Sequence, residues 1–181
     1  MPNFWNNSTL EPKRKHRWLV YLNNANIPSY IATKVDKPSF KINEMEHKYF
    51  GHSFFYPGHV SWETISLTLI DPIDEDASFA LMSLLRRAGY ASPEGSADNT
   101  LPTVAKADFV AALGNSIRIE QVSGADNRLV ETWVLHNPWI TDCKFGDLDH
   151  GSDDLVEITL TLRYDWATMV DARGRTEPVA P

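Results

Sequence analysis

Between residues 155 and 164 apolar side chains occupy every second position: Val156, Ile158, Leu160, Leu162 and Tyr164 alternate with Glu157, Thr159, Thr161 and Arg163. Successive side chains of an extended strand point to opposite faces, so this two-residue period dictates a strand with one face in the core. A helix would scatter the same apolar set around its circumference. Residues 60–70 repeat the pattern, with Ile65, Leu67 and Leu69 set against Thr64, Ser66 and Thr68. In both strands the second face carries short hydroxyls, where an ordinary solvent-facing strand would carry Lys and Glu freely. The high β propensity of Thr is one account of this face. A surface lining an enclosed, wet space is the other.

Further runs at residues 16–22, 30–35, 39–50, 115–122, 129–136 and 140–145 also read as strands, separated by Asn-, Pro- and Gly-rich turns. In residues 39–50, Phe40 and Ile42 fall on one face and Met45 and Tyr49 on the other. Tyr56, Pro57 and Gly58 read as a turn that precedes the strand at 60–70. After Asp71 and Pro72 the period changes. Asp74, Glu75 and Asp76 supply negative charge at a helix start, Ala77, Leu81, Leu84, Leu85 and Ala88 recur at helical spacing, and Arg86, Arg87 and Gly89 mark the end. A shorter helical candidate spans 108–113, stopped by Gly114. Gly124, Asp126 and Asn127 form a hairpin loop. Residues 1–15 and 168–181 lack either period and read as flexible arms around a β domain at 16–167.

The chain has 181 residues, enough for one well-filled core, and 17 Lys+Arg against 24 Asp+Glu give a net charge of -7. That is the wrong sign for a protein that grips nucleic acid through its phosphates. Cys143 is the single cysteine, so no internal disulfide can form. No apolar run reaches the roughly 18 residues of a membrane span, and the polar start lacks the order of a signal peptide. A cytosolic place of synthesis and no membrane partner are expected.

Candidate chemistry is thin. His47, His52 and His59 lie close together in sequence, with His136 and His150 further on, but their spacing matches no ligand rule. Asp147, Asp149, Gly151, Asp153 and Asp154 resemble a calcium loop in composition. The twelfth position is Ile158, however, where a bidentate Glu would be required, which excludes an EF-hand. There is no GxSxG and no phosphate-cradling glycine loop, and Cys143 has no neighbouring His. No catalytic residue, metal ligand or cofactor is assigned. Trp18, Trp62, Trp133 and Trp166 fall in or beside strands, where aromatic residues pack.

Several segments taken together resemble the tail tube proteins of contractile-tailed, T4-like bacteriophages. They are residues 37–40 (KPSF), 56–71 (YPGHVSWETISLTLID), 88–90 (AGY), 130–140 (VETWVLHNPWI) and, above all, 145–167 (FGDLDHGSDDLVEITLTLRYDWA). The resemblance implies a mainly β, antiparallel, sandwich- or barrel-like fold with one flanking helix and long loops. It implies homohexameric rings, each subunit lending four strands to an inner barrel, stacked into a conduit for DNA ejection and enclosed by a contractile sheath. Twenty-four strands ~4.8 Å apart and tilted about 40° give a backbone diameter of roughly 48 Å. Side chains reduce this to about 38 Å, wider than a B-form duplex of about 20 Å.

On that basis Thr64, Ser66, Thr68, Glu157, Thr159, Thr161 and Arg163 are candidates for the lumen, with Arg163 expected to pair with Glu63 or Glu157. Lys13, Arg14, Tyr56, Pro57, Asp147, Asp149 and Asp153 are candidates for subunit or ring interfaces. The implied partners are the chain itself, the sheath, tape measure, baseplate and tail terminator proteins, and DNA as transient, non-specific cargo. The implied setting is the virion tail, assembled in the host cytoplasm. The alternatives are a tube initiator at the baseplate, the tube of a related bacterial injection system with protein cargo, and a metal or small-ligand binder using the histidines.

Overall fold

A computed structural model describes residues 12–92, 103–123 and 128–178. Most of the expected N-terminal arm, residues 93–102 and the loop at 124–127 lie outside the described residues. The chain runs β1 (Trp18–Leu22), β2 (Ala32–Val35), β3 (Phe40–Tyr49), β4 (His52–Trp62), β5 (Ile65–Ile70), α1 (Ala77–Arg87), α2 (Lys106–Ala112), β6 (Ser116–Val122), β7 (Leu129–His136), β8 (Trp139–Lys144), β9 (Glu157–Arg163), β10 (Trp166–Asp171) and β11 (Thr176–Glu177). The strands form a five-stranded sheet, β1-β6-β7-β10-β11, a four-stranded sheet, β2-β5-β9-β8, and a separate hairpin, β3-β4. Every strand pairing is antiparallel.

The alternation seen in the sequence builds the core. Ile65, Leu67 and Leu69 on β5 and Ile158, Leu160 and Leu162 on β9 are buried together with Val20, Ile117, Ile119 and Leu135 of the larger sheet. Each such side chain contributes roughly 1.5–3 kcal/mol when fully buried. Leu81 and Leu84 of α1 and Phe109 and Ala112 of α2 join the same cluster, so both helices are packed onto the sheets.

Helix α1 starts where its charges predict. The Asp76 carboxylate accepts from Phe79 N at 2.7 Å, and Asp71 accepts from Ala77 N at 2.9 Å, which satisfies amide groups left unpaired at a helix start. It ends at Gly89, whose φ of 102° and close approach to the Thr103 carbonyl, 2.5 Å from where a Cβ would stand, require glycine. The second helical candidate is α2, which starts two residues earlier and ends one residue earlier than expected.

Three expectations are corrected. Tyr56, Pro57 and Gly58 are not a turn: they lie inside β4, opposite residues 43–45 of β3, and the turn is at Phe50 and Gly51, both at positive φ. The run at 60–70 is two strands, broken at Glu63 and Thr64. The C-terminal boundary at 167 cuts a strand, because residues 168–171 continue β10 and pair with residues 131–134 of β7.

Candidate functional site

In an antiparallel pair, directly opposed residues share a face. Ser66 faces Thr161 and Thr68 faces Thr159, while the residues between them, Leu67 and Leu160, point into the core. Ser66, Thr68, Thr159 and Thr161 therefore form one half-buried hydroxyl patch on the outer face of the four-stranded sheet. Glu157 lies at one end of it opposite Ile70. Arg163 lies at the other opposite Trp139, with Thr64 exposed just before β5. All seven lumen candidates fall on or beside this one sheet. Residues that alternation within one strand could not connect are brought side by side by the β5–β9 register.

The edge strands complete the face. Lys34 on β2 pairs with Thr68 and Lys144 on β8 pairs with Thr159, so one row reads Lys34, Thr68, Thr159, Lys144. Asp36, whose amide donates to the Ser66 carbonyl at 3.0 Å, and Asp142, opposite Thr161, flank the next row. No local pattern marks these four charges as a set, because their strands are separated by about a hundred residues. Among the described residues no ion pair joins Arg163 to Glu63 or Glu157. Glu157 stands at the opposite end of the same strand, about 20 Å away at ~3.3 Å per residue.

The interface candidates divide. Lys13 is committed within its own chain: its ammonium and that of Lys37 both donate to the Glu131 carboxylate, whose side chain is only 4% exposed. Trp133 Nε1 also donates to Glu131 at 3.3 Å. Gln121 Nε2 donates to the Arg14 carbonyl at 2.9 Å, and Lys37 donates to Gln121 Oε1 at 2.9 Å. This network fastens residues 13–14 and the root of the β3–β4 hairpin to β6 and β7. Burial would push the Glu131 carboxyl up, but the two lysines outweigh it and hold it below the usual carboxylate range.

Tyr56 and Pro57 lie on the hairpin, whose strands, among the described residues, pair only with each other and are exposed except at Ser61 and Trp62. Its apolar stripe changes face at a bulge. Phe40, Ile42, Val60 and Trp62 share one face near the base, with Trp62 close to the buried Tyr164. Beyond it, Met45, Tyr56, His47, Phe54, Tyr49 and His52 share the other. Gly58 sits in the bulge, where a Cβ would meet the Asn43 carbonyl at 2.8 Å. Met45 is 67% exposed and Tyr56 54%. Glu44, Glu46 and Lys48 occupy the reverse face.

Asp147, Asp149 and Asp153 are exposed in the loop between β8 and β9, where Asp149 accepts from Gly151 N at 2.9 Å and turns the loop on itself. His136 stacks on Trp166 at 4.9 Å and shares a 3.0 Å hydrogen bond with Thr168. Among the described residues, no group of three or more His, Cys, Asp or Glu side chains is gathered as a metal site would be.

No family model matches the sequence, and no curated protein is similar enough to align with it. Solved structures are similar in fold. A chain of the tube-terminating cap of the anti-feeding prophage has 15% identity and a TM-score of 0.62, over 90% of this chain and 93% of that one. A chain of the anti-feeding prophage baseplate, six-fold symmetrised, has 20% identity and a TM-score of 0.58, over 91% and 99%. A chain of the sheath–tube complex of PVC, an extracellular contractile injection system, has 18% identity and a TM-score of 0.57, over 88% and 92%. The resemblance drawn from the sequence holds at the level of fold: this chain has the antiparallel architecture found in tube and tube-terminating assemblies.

Proposed function

We propose that this chain is a non-catalytic structural subunit that closes into six-membered rings and stacks as the inner tube of a contractile tail, a conduit for DNA ejection and a core for the sheath. The observation that carries the reading is the hydroxyl face of the four-stranded sheet, flanked by β2 and β8, edges that no other strand pairs with among the described residues. A sheet with two free edges recruits further strands, and closing a ring removes every edge. Turned inward, Ser66, Thr68, Thr159 and Thr161 present the channel with groups that hydrate passing cargo. Lys34, Lys144 and Arg163 are matched by Asp36, Asp142 and Glu157, so the wall does not hold phosphates through a net positive lining.

The exposed hairpin supplies the stacking contact. Its apolar tip face costs free energy in water, and a neighbouring subunit is the surface expected to cover it. The arm, the β8–β9 loop and the outer helices are then available to sheath, tape measure, baseplate and terminator proteins. A second reading, a ring that starts or ends the tube, is supported by the likeness in fold to the baseplate and cap chains.

The test is size-exclusion chromatography and negative-stain electron microscopy across a concentration series. Tubes with six-fold end views are expected; single rings that do not stack support the second reading. A chain that stays monomeric at every concentration overturns the proposal.

A further inference from the structure

We propose that the ring seam is an antiparallel pairing of β8 of one copy with β2 of the next, slipped by two residues so that Asp142 faces Lys34. This rests on the ring-forming reading above and specifies its contact. The strand order β2-β5-β9-β8 alternates in direction, so β8 meets the β2 of a second copy antiparallel, and the alternation continues without a break.

The rows of the outer face then select the register. Continued straight across the seam, one row would set Lys144 beside the next copy's Lys34, and the other would set Asp142 beside its Asp36. Like charges directly opposed are destabilising. A slip of one residue would turn the core faces of the two copies to opposite sides. A slip of two, roughly 6.6 Å along the strand, opposes unlike charges, and it keeps the faces aligned when the bulged residues Thr33 and Thr141, which stand beside Lys34 and Asp142, are left unpaired. It also supplies a stagger of the kind that a closed barrel requires.

Of the two directions, one brings Lys144 to Asp36 and the other Asp142 to Lys34. The Asp36 carboxylate already accepts from Ser66 N at 3.2 Å, whereas Asp142 and Lys34 are exposed and have no bond to each other within the chain. The second direction pairs these two and carries Lys144 clear of Lys34. Each edge carries one charge of each sign, two residues apart, which rejects the straight register and accepts the slipped one.

Cross-linking reads the register directly. In a Cys143→Ser background, Lys34→Cys with Asp142→Cys is expected to oxidise to a ladder ending at a closed six-copy species on a non-reducing gel. Lys34→Cys with Lys144→Cys, the straight register, is expected to cross-link at least tenfold more slowly. Asp142→Lys alone should raise the concentration needed for assembly at least tenfold, and adding Lys34→Asp should restore it. Rings that form while the first cysteine pair stays uncross-linked, or while the second reacts faster, overturn the seam and leave the ring reading standing. Failure of the unsubstituted chain to form rings overturns the ring reading itself.

Discussion

Glu131→Gln removes the charge that holds Lys13 and Lys37 while keeping the shape of the side chain. Glu131 is 4% exposed, and its lysine partners are 50% and 49% exposed. Breaking a fully buried pair costs about 3–5 kcal/mol, because the abandoned charge stays buried. Here the two ammonium groups can turn to water, and glutamine can still accept a hydrogen bond. The expected cost falls to about 2 kcal/mol, or roughly 4–8 °C in Tm for a chain of this size. The pH dependence carries the sign. The Glu131 carboxyl titrates below its ordinary value in the folded chain, so its stabilisation is complete above the ordinary carboxylate range near pH 4 and is lost as pH falls through the folded value. Melting followed by circular dichroism should show the difference between the two proteins at pH 7, and show it closing in acid. Equal Tm values at pH 7, or a gap that does not change with pH, refute the reasoning.

Asp76→Ala removes the α1 cap on Phe79 N and should cost about 1 kcal/mol, read as a Tm lower by about 2–4 °C. Replacing Met45 and Tyr56 together with Ser should leave the isolated chain within about 0.5 kcal/mol of its original stability, since both are exposed, while electron micrographs show rings that no longer stack. Arg163→Glu should leave rings intact by negative stain, because Arg163 stands on the outer face and, among the described residues, has no ion pair to break; loss of rings makes it an interface residue.

The parts of the fold legible in the sequence are those that a local period encodes. The alternation through Leu160 and Leu162 placed β9, and the charge order from Asp74 to Arg87 placed α1. The change of face between Ile42 and Met45 is legible in the hairpin, but Pro57 and Gly58 read as turn formers, whereas Gly58 sits in a bulge and Pro57 lies in an exposed strand where its missing N–H costs little. Strand β10 was cut short because Ala167, Thr168 and Met169 carry a weak alternation next to the turn at Asp165. The hydroxyl residues were legible strand by strand, but their assembly into one patch depends on the β5–β9 register. The Lys13–Glu131–Lys37 clamp was out of reach altogether, since its members are brought together only by the fold.

The central claim is that the face bearing Ser66, Thr68, Thr159 and Thr161 lines a closed channel. A cryo-EM reconstruction of the assembled protein tests it most directly. The account predicts a six-fold ring in which that face surrounds the central opening, with α1 outside. A ring with the hydroxyl face turned outward, or packed into a subunit interface, contradicts it.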